Sequence, residues 1–436
     1  MGSRASQSPS HREPETHSFP ELESDVEKSS LELTPPDAIT YPEGGGRGWA
    51  VALGAAAALF STFGMANAFG VFQEYYMTHQ LSHESPSTVS WIGSIQLFFL
   101  FATGIFSGPL FDRYGEKVLW PSAVLYVFSV MMTSICKELW QFMLAQGILG
   151  GLSMGMVLGP SMAATGQYFN KKRGAAMGIS VAGSSVGAVI FPIALSRMFQ
   201  IPHIGFGWAV RICGFIMAAV LALACIAIKA RLPPKKGKFF MPEAFKDVPY
   251  DTTIASVFLM LLGMFIPFFY LPTFAIGEGM SVQLASYLVS ILNGASFFGR
   301  AIPGILADKF GRFNMLCASA LSTGILIFCW PSMKTNAELI VFAALYGFCS
   351  GAIVSLMAVC LVQLAPNPQN IGTYYGMGMT VCSIAALIGP PINGALVTKY
   401  GGFHEASIFS GTAVILGAVG IAVTKHVTGK GLFAKI

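Results

Sequence analysis

The chain has 436 residues, 54% hydrophobic and 11% charged, with mean hydropathy +0.63. Soluble globular chains carry about 25% charged residues, so this composition excludes the soluble class and places the chain in lipid. The formal charge of +5 is scattered over short loops, not massed in one stripe, which argues against a nucleic-acid partner.

Residues 1–46 come first and read as a disordered cytosolic tail, rich in Ser, Pro, Glu and His and poor in apolar clusters. The tail lacks a basic segment followed by an apolar core, so it is not read as a cleaved signal peptide, and the first apolar span is expected to direct insertion. A bilayer core about 30 Å thick needs about 20 apolar residues per helix. Twelve stretches qualify, beginning near Gly48, Thr88, Val118, Leu139, Gly174, Gly207, Thr252, Leu284, Phe313, Ala337, Gly372 and His404. The expected fold is an all-α membrane protein of two six-helix bundles, 47–229 and 252–436, the second ending in a short cytosolic tail. A basic linker at 230–251, containing Leu232-Pro233-Pro234-Lys235-Lys236, joins them.

Charge asymmetry orients the spans. One set of loops holds sixteen Lys and Arg: Arg113, Lys117, Lys171, Lys172, Arg173, Lys229, Arg231, Lys235, Lys236, Lys238, Lys246, Lys309, Arg312, Lys425, Lys430 and Lys435. The other set holds four: Lys137, Arg197, Lys334 and Lys399. The bias predicts a multi-pass protein of the cell membrane with both termini cytosolic. The eight cysteines, such as Cys225, Cys360 and Cys382, show no paired or metal-type spacing and read as small apolar fillers.

The two halves repeat a signature after their second spans. Gly108-Pro-Leu110-Phe-Asp112-Arg113-Tyr114-Gly115-Glu116 matches Gly304-Ile-Leu306-Ala-Asp308-Lys309-Phe310-Gly311-Arg312 in register, 196 residues apart. Glycine and charge alone would make a tight surface turn. They do not explain why the turn appears twice at corresponding places, which marks a duplicated six-helix unit.

The first copy, continuing to Lys117, resembles the G-x-L-x-D-R-x-G-x-[RK] loop of the major facilitator superfamily, and the resemblance covers nearly all of the chain from Gly44 onward. It implies alternating access, with the loop aspartate capping a neighbouring helix end and latching one access state. A carboxylate at a helix N-terminus contributes up to about 1–2 kcal/mol. A narrower resemblance, to the monocarboxylate transporter family, rests on three runs: Glu43-Gly44-Gly45-Gly46-Arg47-Gly48-Trp49-Ala50-Val51, Tyr168 to Ile179, and Ala182-Gly183-Ser184-Ser185-Val186-Gly187, and the short middle loop and acidic, Ser-rich tail resemble its fungal branch.

Candidate substrate-binding residues follow. Arg300 lies inside the eighth span, where a central arginine costs about 2.5–3.5 kcal/mol on insertion scales. It reads either as a guanidinium facing the cavity and gripping a carboxylate by a bidentate fork, or as a tie to carbonyls and hydroxyls of neighbouring helices. The monocarboxylate resemblance implies the first. That family places an Asp four residues before this Arg, where this chain has Ser296, and a Lys in helix 1, where it has Asn67. Proton coupling stays open as an implication of the family, while its usual Lys and Asp are both absent here. Arg300 among neutral Asn67, Asn293 and Ser296 suits a larger, weakly acidic or neutral molecule. In span 7, Phe269 and Tyr270 belong to an aromatic run, Phe265 to Phe274, interrupted by Pro267 and Pro272. This run reads either as a cavity wall or as a kinked lipid-facing helix. The expected conformational switch comprises Gly108, Asp112, Arg113 and Gly115 in the first half and Gly304, Asp308, Gly311 and Arg312 in the second.

No Gly-Lys-Ser/Thr follows any glycine run, so ATP is not expected, nor is a cofactor or metal. No His or carboxylate cluster sits within the spans, so the chain is not read as an enzyme. A non-transporting nutrient sensor would usually carry a long signalling extension, and the tail is only about 45 residues. The expected function is secondary-active export of a secondary metabolite or other amphipathic organic acid. The alternative is uptake of a small monocarboxylate or vitamin-like acid.

Overall fold

The structure is a computed structural model that describes residues 1–2, 41–234 and 239–428. The tail expected over 1–46 falls almost wholly outside them, as do Lys235, Lys236, Lys238, Lys430 and Lys435. Among the described residues there is helix and no strand. The twelve helices are α1 (Gly45–Thr78), α2 (Pro86–Ala102 and Gly104–Tyr114), α3 (Leu119–Thr133) and α4 (Leu139–Tyr168). They continue with α5 (Arg173–Phe199), α6 (Gly205–Ala227), α7 (Val248–Gly277), α8 (Val282–Phe310) and α9 (Arg312–Cys329). The last three are α10 (Asn336–Gln363), α11 (Ile371–Tyr400) and α12 (His404–Val427).

By length and apolarity alone eleven stretches cross a membrane, because Ser87–Thr133 runs 47 residues as near-continuous helix through the charged turn at Asp112–Lys117. It holds two spans. The chain turns at Gly115, whose φ of 63° is open to glycine. Thereafter α3 runs back along α2: a Cβ at Gly150 of α4 would meet both Ser129 of α3 and Gln96 of α2.

The halves pack α5 against α8 and α2 against α11. The chain enters α1 and leaves α12 on one face. Glu43, just before α1, accepts hydrogen bonds from the backbone N–H groups of Asn170, Lys171 and Lys172 in the loop before α5. Lys425, near the end of α12, donates to Asn314 at the start of α9. The Asp112 and Asp308 loops are on this same face, called the loop face below. An even number of spans requires this agreement.

Besides the interruption of α2 at Thr103, three helices are locally irregular. Helix α1 breaks at Thr62 and again at Asn67–Ala68. Both side chains bond back to the carbonyl four residues earlier, Thr62 Oγ1 to Ala58 at 2.8 Å and Asn67 Nδ2 to Phe63 at 2.7 Å, a pattern that bends helices. Helix α7 breaks at Phe265, two residues before Pro267, which has no N–H to give. Helix α4 widens to a π-helical stretch over Met143–Gly150.

Candidate functional site

The breaks in α1 and α7 face each other across a cavity of about 420 Å³, within the usual range for small-molecule sites. Helix α1 contributes Phe63, Ala66, Asn67 and Phe69, and α7 contributes Phe265, Phe268, Phe269 and Pro272. The nearer turns of α2, α5 and α8 close the sides with Leu97, Pro192 and Ser290 among others. Gly93 of α2 is required here, since a Cβ on it would overlap the Phe69 ring. The cavity lies toward the face opposite the Asp112 and Asp308 loops.

Two of the residues singled out from the sequence meet here, Asn67 and Phe269. Tyr270 does not. One residue further along a helix is a turn of about 100°, which sends Tyr270 toward α11 and α12. A Cβ at Gly394 would sit 2.6 Å from its hydroxyl, and its ring lies 6.1 Å from that of Phe403. Phe265 and Phe268 take the cavity position that the sequence reading gave to Tyr270. Asn293, Ser296 and Arg300 also lie off the cavity, on the buried face of α8. Asn293 is fully buried and donates to the Val289 carbonyl at 3.0 Å. Ser296 packs where α10 is narrowed by Gly351. Arg300 reaches α5: its Nη1 donates to the Val181 carbonyl at 3.3 Å and to the Ser184 hydroxyl. Its Cζ lies 5.9 Å from the centre of the Phe63 ring.

One ionisable lining residue escaped the sequence reading. Glu74, on the last turns of α1, is exposed at the cavity margin. Among the cavity's described lining residues it alone is ionisable. An acid inside the first apolar span was the available signal.

The duplicated loops form two matching contacts between the bundles. The Asp112 carboxylate accepts from the N–H groups of Gly372 (3.0 Å) and Thr373 (2.6 Å) and from the Thr373 hydroxyl (2.7 Å). It thereby caps the start of α11. The Asp308 carboxylate accepts from the N–H groups of Gly174 (2.8 Å) and Ala175 (2.9 Å), capping the start of α5. Each aspartate thus satisfies helix-terminal donors belonging to the other half. Gly108 and Gly304 permit the approach: a Cβ on Gly108 would overlap the Gly372 carbonyl, and one on Gly304 would lie 2.6 Å from that of Gly174. Gly115 and Gly311 turn the chain with φ of 63° and 94°.

The repeat is not symmetric in charge. At its ninth position Arg312 bonds Asp308 (3.3 Å), Gln363 (3.1 Å) and the Asn170 carbonyl. The same position in the first half is Glu116, which accepts from the Ala230 N–H at 3.1 Å and pairs with Lys229 at 3.6 Å. Partial burial pushes the Glu116 pKa up, but backbone hydrogen bonds and Lys229 outweigh it and hold the carboxyl below its ordinary range. Arg113 stays exposed, its guanidinium 5.9 Å from the Tyr114 ring.

Two helical bundles closed together at one face, with a cavity toward the other, are the architecture of a membrane transporter. The chain belongs to the Major Facilitator Superfamily, whose family model matches residues 54–390 and 302–431. It is 56% identical over 384 residues to the aspyridones efflux protein apdF of Emericella nidulans, covering 88% of this chain and 79% of that protein. It is 40% identical over 391 residues to the agnestins efflux protein AgnL12 of Paecilomyces divaricatus, covering 88% and 89%. Among solved structures, the human organic anion transporter MFSD10 (TETRAN) shares the fold, with a TM-score of 0.72 at 14% identity over 87% of this chain and all of that one.

Proposed function

We propose that this chain exports a bulky, amphipathic secondary metabolite carrying an acidic group, by alternating access between the loop face and the opposite face. The cavity carries the reading: about 420 Å³, walled by Phe63, Phe69, Phe265, Phe268 and Phe269 with Asn67 as a polar anchor. Aromatic walls gain about 25 cal/mol per Å² of apolar ligand surface they cover, an advantage lost on lactate or acetate. The efflux names of two relatives point to the same direction of transport. Arg300, against the back of Phe63, is the group proposed to hold the acid, in keeping with the resemblance to the monocarboxylate transporter branch. Glu74 is the one lining residue with which proton coupling could operate. The loop face is taken to be cytosolic, because the loops the sequence assigns to that side hold sixteen Lys and Arg against four on the other, and the membrane is taken to be that of the cell surface.

Deletion is expected to raise the intracellular level of such a metabolite and lower it in the medium, measured by extracting both compartments from deletion and overexpression strains. Vigorous uptake of labelled lactate or acetate, with no exported product changed, would put the importer first instead. Arg300→Lys is expected to lose acidic cargo by at least about tenfold while sparing its neutral ester, since a point charge cannot reproduce the guanidinium fork. Equal loss of both would remove the acid from the proposal. Tags at both termini and in the 230–251 loop are expected to be protected in sealed, right-side-out vesicles. Tags at the two ends found on opposite sides would overturn the orientation.

A further inference from the structure

Arg300 stands behind the cavity, and every partner it has there is neutral. Its Nη1 donates to Val181 and Ser184, both on α5 and therefore on the other bundle. Ser184 spends its own proton on the Val181 carbonyl at 2.6 Å, so its lone pairs are left for the guanidinium. The Arg300 Nε is buried without a hydrogen-bond partner, and no carboxylate among the described residues pairs with the side chain. A guanidinium at 1% exposure is thus an uncompensated charge with a spare donor, the condition that an incoming anion relieves.

The surroundings say from which side the anion comes. Phe63 separates Arg300 from the large cavity, and it also lines a second void of about 20 Å³, which has room for about one water. Val181 and Ser184 line that void too, together with Leu158, Met357 and Tyr375, drawn from both bundles toward the loop face. Parting the bundles at the loop face would open this seam and pull Ser184 and Val181 away from Arg300.

We propose that Arg300 offers its charge to acidic cargo only from the loop face. An acid entering there replaces Ser184 and Val181 on the guanidinium. Closure of the loop face returns the guanidinium to them, and the acid is displaced into the aromatic cavity for exit at the opposite face. Affinity for the anion is then high on the loading side and low on the release side, which eases unloading; the direction of net flux is set by the gradient that drives the transporter. The inference rests on the acid reading of the cargo.

The test needs no cargo. Ser184→Cys is placed in a chain whose eight natural cysteines are replaced, with Val181→Cys as a second reporter should the first not fold. Two thiol reagents are compared, an anionic sulfonatoethyl and a cationic trimethylammonioethyl methanethiosulfonate, each scaled to its rate with free thiol. Applied to the loop face in inverted vesicles, the anionic reagent is expected to react at least about tenfold faster, as a local positive field concentrates anions. Arg300→Gln is expected to abolish that preference. Applied to the opposite face in intact cells, neither reagent is expected to react. Comparable labelling from both faces, no charge preference, or no labelling at all would each overturn the hand-over. Acid selectivity in efflux is measured separately with Arg300→Lys. A chain that keeps its selectivity yet labels from both faces therefore loses the hand-over alone.

Discussion

Gly108→Leu is expected to fold, to reach the membrane and to transport at about one-hundredth of the native rate or less. The reason is a backbone contact that alternating access requires to part in the other state. At the loop face α2 and α11 touch through glycines. A Cβ on Gly372 would lie 2.7 Å from the Gly108 carbonyl oxygen, and one on Gly104, a turn deeper, 2.6 Å from that of Gly376. These obstacles are backbone atoms, so no rotamer change relieves them. A leucine there is a wedge that costs the closed state about 3 kcal/mol, about two orders of magnitude in its population. The state open at the loop face has no such contact to lose, so the protein keeps its fold and waits there. Gly304→Leu should behave alike, because α5 and α8 meet through Gly174 and Gly304 in the same way. Gly183→Leu is the contrasting case. Its Cβ would overlap the Ala56 carbonyl of α1, inside one bundle, and the expected result is misfolding. The measurement is efflux per molecule at the surface, with a thermal melt of the purified chain. Native-rate efflux by a well-folded Gly108→Leu would show that α2 and α11 do not close during transport.

Much of this was legible in the sequence because lipid leaves the chain few choices. A span must satisfy its own backbone, so twelve apolar stretches became twelve helices, and even the unbroken run from Ser87 to Thr133 was divided correctly by the Gly115 turn. The capping contacts of Asp112 and Asp308 were implied by the resemblance to the superfamily's loop, and in the structure both carboxylates do meet unpaired N–H groups at helix starts. Their partners were harder. Thr373 and Gly174 lie 261 and 134 residues away and carry no mark beyond standing at helix starts. The binding cavity was legible only as a region. The Pro-interrupted aromatic run of span 7 pointed toward it and Asn67 and Phe269 line it, but Tyr270 points elsewhere because the break at Phe265 sets a helical phase that pattern alone does not give. Arg300 was recognisable as costly. What the sequence could not supply was Phe63 standing between it and the cavity, or Ser184 holding it from the other bundle.

Removing charge from the two caps is expected to open the same face that Gly108→Leu wedges apart, without adding bulk. Asp112 is 5% exposed and takes three hydrogen bonds from α11. In Asp112→Asn the side chain keeps its shape and one acceptor, but the charge and the second acceptor are gone. Bonds to a charged group are each worth about 1.5–3 kcal/mol. In the open state Gly372 and Thr373 regain water, so the net loss falls on closure alone. A loss of about 2–3 kcal/mol shifts the closed population about 30- to 150-fold. Asp308→Asn is expected to shift it less. Arg312 still reaches the Asn170 carbonyl across the bundles and Gln363 within its own, so part of that contact survives. Spin labels at exposed Arg113 and Asn367 would report the opening as a longer distance population, growing from Asp308→Asn to Asp112→Asn to the double variant. If both caps hold one common closure, the two free energies should nearly add in the double variant, because the carboxylates share no partner. A double variant no more open than Asp112→Asn would mean that the two loops do not act on one closure, and a chain unmoved by either would leave both aspartates as structural caps with no part in the switch.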